Sequence, residues 1–121
     1  MKLFAILAAF VLSLSTSSAE PDARAKSEIE HLMSHLAGSN CEFYRNGSWH
    51  EPARAVEHLR GKYEYLAGRG LVSTAESFIE RAASESSMSG KPYLVRCGSA
   101  ESIESAKWFA AELSRYRERS K

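Results

Sequence analysis

The sequence predicts an α+β fold, a small antiparallel sheet of three strands with about four helices packed around it, closed by one disulfide. Three observations carry this. Apolar residues recur at helical spacing in four stretches. Short β-prone runs flank an Asn-Gly turn and precede the last helix. The two cysteines, Cys41 and Cys97, open the first of these strands and close the last.

Asp22 to Ala37 carries Ile29, Leu32, Met33 and Leu36 on one helical stripe, and Gly38-Ser39-Asn40 ends it. Cys41 to Arg45 alternates as a strand. Asn46-Gly47 is the strongest two-residue hairpin signal, because both positions tolerate positive φ, and Ser48-Trp49-His50 is the return strand. Glu51-Pro52 opens a helix whose stripe is Val56, Leu59, Tyr63 and Leu66, with Gly68 and Gly70 stopping it. Ser73-Thr74-Ala75-Glu76 matches a capping box ahead of Phe78, Ile79, Ala82 and Ala83. Pro92 to Cys97 is a strand with proline at its entry, where no ladder bond is lost. In the last helix Ile103, Ala106, Phe109, Ala110, Leu113 and Tyr116 share a face. Arg115, Arg117, Arg119 and Lys121 stand near its end, where cations oppose the macrodipole.

If the first and last strands are antiparallel neighbours, the start of one lies opposite the end of the other, so Cys41 meets Cys97. Side-chain parity agrees: Cys41 shares a face with Phe43, and Cys97 with Val95 and Tyr93. Neither cysteine has a second Cys or a His beside it at metal-ligand spacing.

Residues 1–19 read as a secretory signal peptide: Lys2 at the front, an apolar run from Leu3 to Leu14 broken by Ser13, then a small polar segment ending at Ala19. A run of about twelve helical residues rises about 18 Å, short of a hydrocarbon core of about 30 Å, so no stable membrane insertion is expected after cleavage. The expected location is the periplasm, where paired cysteines oxidise. Residues 20–121 then form a single domain. Removing Lys2 from the 16 basic residues leaves them balanced with 15 acidic ones. That neutrality gives no electrostatic reason to expect nucleic acid as a partner.

The run Arg45-Asn46-Gly47, then Ala55-Val56-Glu57-His58-Leu59-Arg60-Gly61-Lys62-Tyr63, then Thr74 to Glu80, then Ser86-Ser87-Met88-Ser89-Gly90-Lys91-Pro92-Tyr93, resembles a YfeK-like family of small exported proteins of Gram-negative bacteria. The resemblance spans about Ser27 to Tyr116. It implies a periplasmic domain of unknown function and transfers no catalytic residue.

The candidate binding surface joins the hairpin, the second helix and the serine-rich turn. Arg45, His58 and Lys62 supply donors, with Asn46, Ser87, Ser89 and Lys91 beside them, and Trp49 and Tyr93 supply stacking area. His58 and Lys62 lie at the border of their helix stripe, where polar side chains either bond a neighbouring loop or face a groove. The turn Ser84 to Lys91 follows a helix end, so it is no phosphate loop and no nucleotide cofactor is expected. Ser86 continues the buried spacing and is expected to bond a carbonyl one turn back. His31 and His35 fall away from the apolar stripe and read as a solvated face; no third ligand is visible, and no metal is expected. Trp49 and Trp108 miss the core stripes, which marks either interface surface or packing under a loop.

The preferred reading is a non-enzymatic binding or interaction module of the envelope, its partner an envelope protein or a small polar ligand. Ser89-Gly90-Lys91-Pro92-Tyr93 also resembles the Ser-Gly-x-x-Tyr loop of periplasmic lysozyme inhibitors, which gives an alternative through Ser89 and Tyr93. A small hydrolase is the least favoured reading, because there is no Gly-x-Ser-x-Gly elbow and Asp22 is the sole Asp after the signal segment.

Overall fold

The computed structural model describes residues 20–121; the signal-peptide assignment to residues 1–19 lies outside them. The element order is α1 (Ala23–Ala37), β1 (Cys41–Arg45), β2 (Ser48–His50), α2 (Pro52–Gly68), α3 (Ala75–Arg81), β3 (Leu94–Cys97), β4 (Ile103–Glu104) and α4 (Ser105–Arg119). All pairings are antiparallel, in the order β2-β1-β3-β4.

Local chemistry starts and stops these elements. Asp22 caps α1 by accepting the Ala25 N–H at 2.8 Å. Asn46 and Gly47 both take positive φ, 48° and 87°, which lets the two-residue hairpin close with the twist of its strands. Pro52 stands at the start of α2. The capping box of α3 is shifted by one residue from the predicted one. Thr74 is the cap, its oxygen accepting the Ser77 N–H, while Ser77 Oγ accepts the Thr74 N–H.

Strand alternation divides the sheet into two faces. Cys41, Phe43 and Val95 point at the helices and are buried with Ile29, Leu32, Leu36, Leu59, Phe78 and Phe109. Tyr44, Trp49 and Leu94 lie on the reverse face, Tyr44 opposite both of the others. Cys41 stands directly opposite Cys97 and is bonded to it, as the strand geometry predicts.

The sheet has four strands where three are predicted. Ile103 and Glu104 pair with Val95 and Leu94, and Ile103 is 43% exposed rather than part of a helix face. Two residues are too few to show alternation, so the pattern absorbed them into the next helix. In α4 the buried face runs through Ser105, Phe109, Glu112 and Leu113, and Ala110 is exposed. A glutamate therefore occupies a core-facing position that the apolar pattern assigned to its neighbours.

That glutamate overturns the solvated reading of His31 and His35. Glu112 is 3% exposed, and its Oε2 lies 2.8 Å from His31 Nε2 and 3.2 Å from His35 Nδ1. Arg115 donates to the other oxygen at 3.0 Å. Burial pushes the carboxyl pKa up, but the hydrogen bonds from His31 and Arg115 and the charges of His35 and Arg115 outweigh it and hold it at about 2. An ionised carboxylate only accepts, so His31 carries a proton on Nε2. Both rings also meet aromatics, His31 stacked on Tyr116 at 4.0 Å and His35 tilted against Trp108 at 4.9 Å. Trp108 thus packs against α1. A second clasp joins the same helices: Arg117 donates to both oxygens of buried Glu28, at 2.7 and 3.0 Å, and reaches Glu76 on α3.

Replacing Cys41 and Cys97 together by serine frees a long loop in the unfolded chain; urea unfolding is expected to show a loss of about 4 kcal/mol. An unchanged midpoint would remove the bridge from the stability account. Glu112→Gln is expected to cost roughly 2 kcal/mol. Glu112's folded pKa is depressed, so its contribution is present above 4.5 and lost as pH falls from 4.5 toward about 2. Acid unfolding curves of the variant should be flatter than wild type across that window.

Candidate functional site

β1, β2 and α2 enclose a cup of about 460 Å³. Alternation along β1 turns Arg45 toward the helices with Phe43, and the hairpin register sets His50 opposite Phe43. Helical repeat aligns Arg54, His58 and Lys62 at successive turns, with Gly61 and Tyr65 beside them. Two rows of donors, from strands and from a helix, therefore line one depression.

Tyr93 anchors Lys62 and His58 from below. Its ring is 2% exposed and lies 5.0 Å from Phe43. Lys62 Nζ donates to the Tyr93 hydroxyl oxygen at 3.2 Å and to the Glu85 carbonyl at 2.6 Å. His58 Nε2 lies 3.1 Å from the same hydroxyl. With an ammonium N–H already on the oxygen, pairing the phenol proton directs it at His58 Nε2, which leaves the His58 proton on Nδ1. Burial lowers the His58 pKa, and the charges of Arg45, Lys62 and His50 lower it further. Burial also lowers the Lys62 pKa, with Glu85 opposing and Arg45 assisting. Burial raises the Tyr93 pKa, so the phenol keeps its proton.

The structure brings part of the predicted surface together. Arg45, His58, Lys62 and Tyr93 converge. Asn46 and Ser89 also meet, Ser89 Oγ donating to Asn46 Oδ1 at 3.0 Å, which ties the hairpin tip to the serine-rich turn. Ser87 and Lys91 are exposed and do not line the cup. Trp49 is placed on the reverse face of the sheet, 5.2 Å from Tyr44, with the Arg96 guanidinium 3.9 Å above its ring. It cannot contribute stacking area to the cup, because it directly precedes inward-facing His50 and neighbours along a strand face opposite ways. Tyr93 contributes a hydroxyl rather than an exposed ring. Ser86 is buried, but its oxygen accepts from the Met88 and Ser89 N–H groups, both at 3.3 Å, instead of bonding a carbonyl behind it. Ser84 makes the backward bond, to the Ile79 carbonyl at 2.7 Å.

Sequence reasoning missed His50, Arg54 and Tyr65. The signal was available: Arg54 is four residues before His58, Tyr65 is four after Gly61, and His50 has the parity of Phe43's partner.

A larger groove of about 1380 Å³ runs between α1, α3 and α4. Its two arginines are paired, Arg117 with Glu28 and Glu76, and Arg24 with Glu28 at 3.8 Å. The cup differs in leaving its arginines unpaired. Among the described residues no group of three or more His, Cys, Asp or Glu side chains is arranged to hold a metal ion.

Residues 23–117 match a family described as "Family of unknown function (DUF5329)". The chain belongs to DUF5329. Within it, the chain is similar to "Uncharacterized protein YfeK" of Salmonella typhimurium strain LT2, 37% identical over 93 residues, which cover 76% of this chain and 75% of the relative. No solved structure matches. The DUF5329 match runs from the start of α1 to within two residues of the end of α4, so the cup is built wholly within the family's domain.

Tyr93→Phe keeps the ring and deletes the shared hydroxyl; it is expected to cost about 1 kcal/mol by denaturant titration. NMR titration of the imidazoles should place the His58 midpoint below its ordinary 6.5, with the proton on Nδ1 in the neutral ring. The unfolded chain then takes up this proton first, so stability falls as pH drops below 6.5. A midpoint at or above 6.5 would contradict the burial argument.

Proposed function

We propose that this DUF5329 protein is an exported, non-enzymatic binding module of the bacterial envelope, and that the cup is its working surface. The observation that carries this is convergence. Arg45 and His50 from the hairpin and Arg54, His58 and Lys62 from α2 line one depression, and buried Tyr93 beneath it bonds His58 and Lys62. Polar donors gathered into a concave site with two of them partly desolvated are what a small polar ligand, or a polar group of an envelope protein, requires. Lys62, His58 and Tyr93 hold one another in fixed positions. They include no nucleophile with an adjacent base and orienting carboxylate, so binding is the chemistry they support best.

Export rests on the signal-like segment of residues 1–19 and on the Cys41–Cys97 bond, which an oxidising compartment sustains. The Ser89–Tyr93 loop gains no support as an inhibitory finger, since Tyr93 is turned into the core and Ser89 is bonded to Asn46.

Expression of the full chain in a Gram-negative host should yield a periplasmic product beginning near Glu20 with no free thiol, by mass spectrometry with and without alkylation. Adding a periplasmic small-molecule extract to the isotope-labelled product should shift cup amides, and His58→Ala with Lys62→Ala should abolish those shifts while leaving the fold intact. Recovery of uncut protein from cytosol, or identical spectra for both proteins, would remove the reading.

A further inference from the structure

The geometry points to an oxyanion site in the cup: Arg45, Arg54, Lys62 and His58 are placed to hold a phosphate or carboxylate group carried by a small organic ligand. This rests on the cup being the working surface and adds the chemistry of what it holds.

The first argument is the pattern of pairing. Arg24, Arg60, Arg96, Arg115, Arg117 and Arg119 each have a carboxylate within ion-pair distance. Among the described residues Arg45, Arg54, Arg69 and Arg81 have none, and of these Arg45 and Arg54 share one small depression with Lys62. Glu57 is the carboxylate on its lining, so cations outnumber anions there. In a chain of 16 basic and 15 acidic residues, concentrating unpaired cations raises the energy of the empty site, and an anion relieves it.

The second argument is geometric. A guanidinium presents a rigid planar fork that matches two oxygens of a carboxylate or phosphate. Arg45 comes from the hairpin and Arg54 from the first turns of α2, so the two forks stand on different elements of one wall. Lys62 uses two of its three N–H groups on Glu85 and Tyr93, which fixes the ammonium while leaving a donor. His58, anchored through Nε2, retains its Nδ1–H. Burial disfavours the charged forms of His58 and Lys62, and an entering anion favours both.

The third argument concerns the rest of the ligand. A volume of about 460 Å³ is in the range of small-molecule pockets but exceeds a bare ion. Tyr65 lies on the rim, 60% exposed, with Arg69 4.7 Å from its ring centre, and offers an aromatic surface to an apolar or planar group. An oxyanion joined to such a group fits both the floor and the rim.

The test is a series of amide NMR titrations of the processed, disulfide-bonded protein. Phenyl phosphate and benzoate should each shift amides around Arg45, His50 and His58, inorganic phosphate should compete with them, and neutral phenyl glucoside should leave them unmoved. Arg45→Gln and Arg54→Gln should each weaken phenyl phosphate about tenfold, and Glu57→Gln should tighten it severalfold. Arg81→Gln removes another cation without an ion pair, outside the cup, and should change nothing. If phenyl glucoside shifts the cup and the anions do not, the oxyanion assignment falls while the cup remains a binding surface. If no probe moves the cup, both fall. If Arg81→Gln weakens phenyl phosphate as much as Arg54→Gln, the attraction belongs to the surface at large and the site is refuted.

Discussion

The molecule depends most on how Tyr93 is held. Its N–H donates to the Ser84 carbonyl at 2.9 Å, and its own carbonyl accepts from the Ser105 N–H at 2.8 Å. One residue therefore fixes where the turn after α3 enters the sheet and where α4 leaves it. Its ring packs on Phe43 inside the core, while its hydroxyl meets His58 and Lys62 on α2. A phenol suits this place because its body is apolar and its tip is polar, so one side chain can end the core and begin the site. The cup cannot shift relative to the core without breaking this set of contacts together.

Electrostatics divide the protein into two different halves. Around α1 and α4 the buried carboxylates of Glu28 and Glu112 are met by Arg117, Arg115, His31 and His35. Burying a carboxylate is costly unless it is paired, and here each accepts several hydrogen bonds, which fixes the register of the two helices. Around the cup the opposite holds: although Arg60 on α2 pairs with Glu30, Arg45, Arg54 and Lys62 lack carboxylate partners within ion-pair distance among the described residues. The first arrangement consumes its charges in holding helices together. The second leaves them directed at a space open to solvent. A net charge of only +1 over the chain conceals this asymmetry, which is why overall charge is a poor guide to what a surface attracts.

Much of the fold was legible because its elements carry short-range signals. The hairpin was legible in Asn46-Gly47, α2 in Pro52, and the disulfide in the parity of Cys41 and Cys97 across neighbouring strands. Strand β4 was not, since a two-residue strand is made by its partner and by the Ser105–Tyr93 bond, not by its own pattern. The candidate site was half legible. His58 and Lys62 stood out at the edge of an apolar stripe, and Arg45 beside the turn. Trp49 drew attention as a large aromatic outside the core, yet alternation on a three-residue strand sends it to the far face and sends His50 inward.

The sequence by itself determined the elements with local causes, the cysteine pairing and the membership of a family of unknown function. It could do so because capping, turn chemistry, residue period and strand parity act over a few residues. Only the tertiary structure decided what the polar residues do. Glu112, eighty-one residues from His31, turns a seemingly solvated face into a helix clasp, and Tyr93, thirty-five from His58, turns a border histidine into part of a cup. Partners that far apart along the chain leave no periodic trace, because the packing of the core, and no local preference, brings them within hydrogen-bond distance.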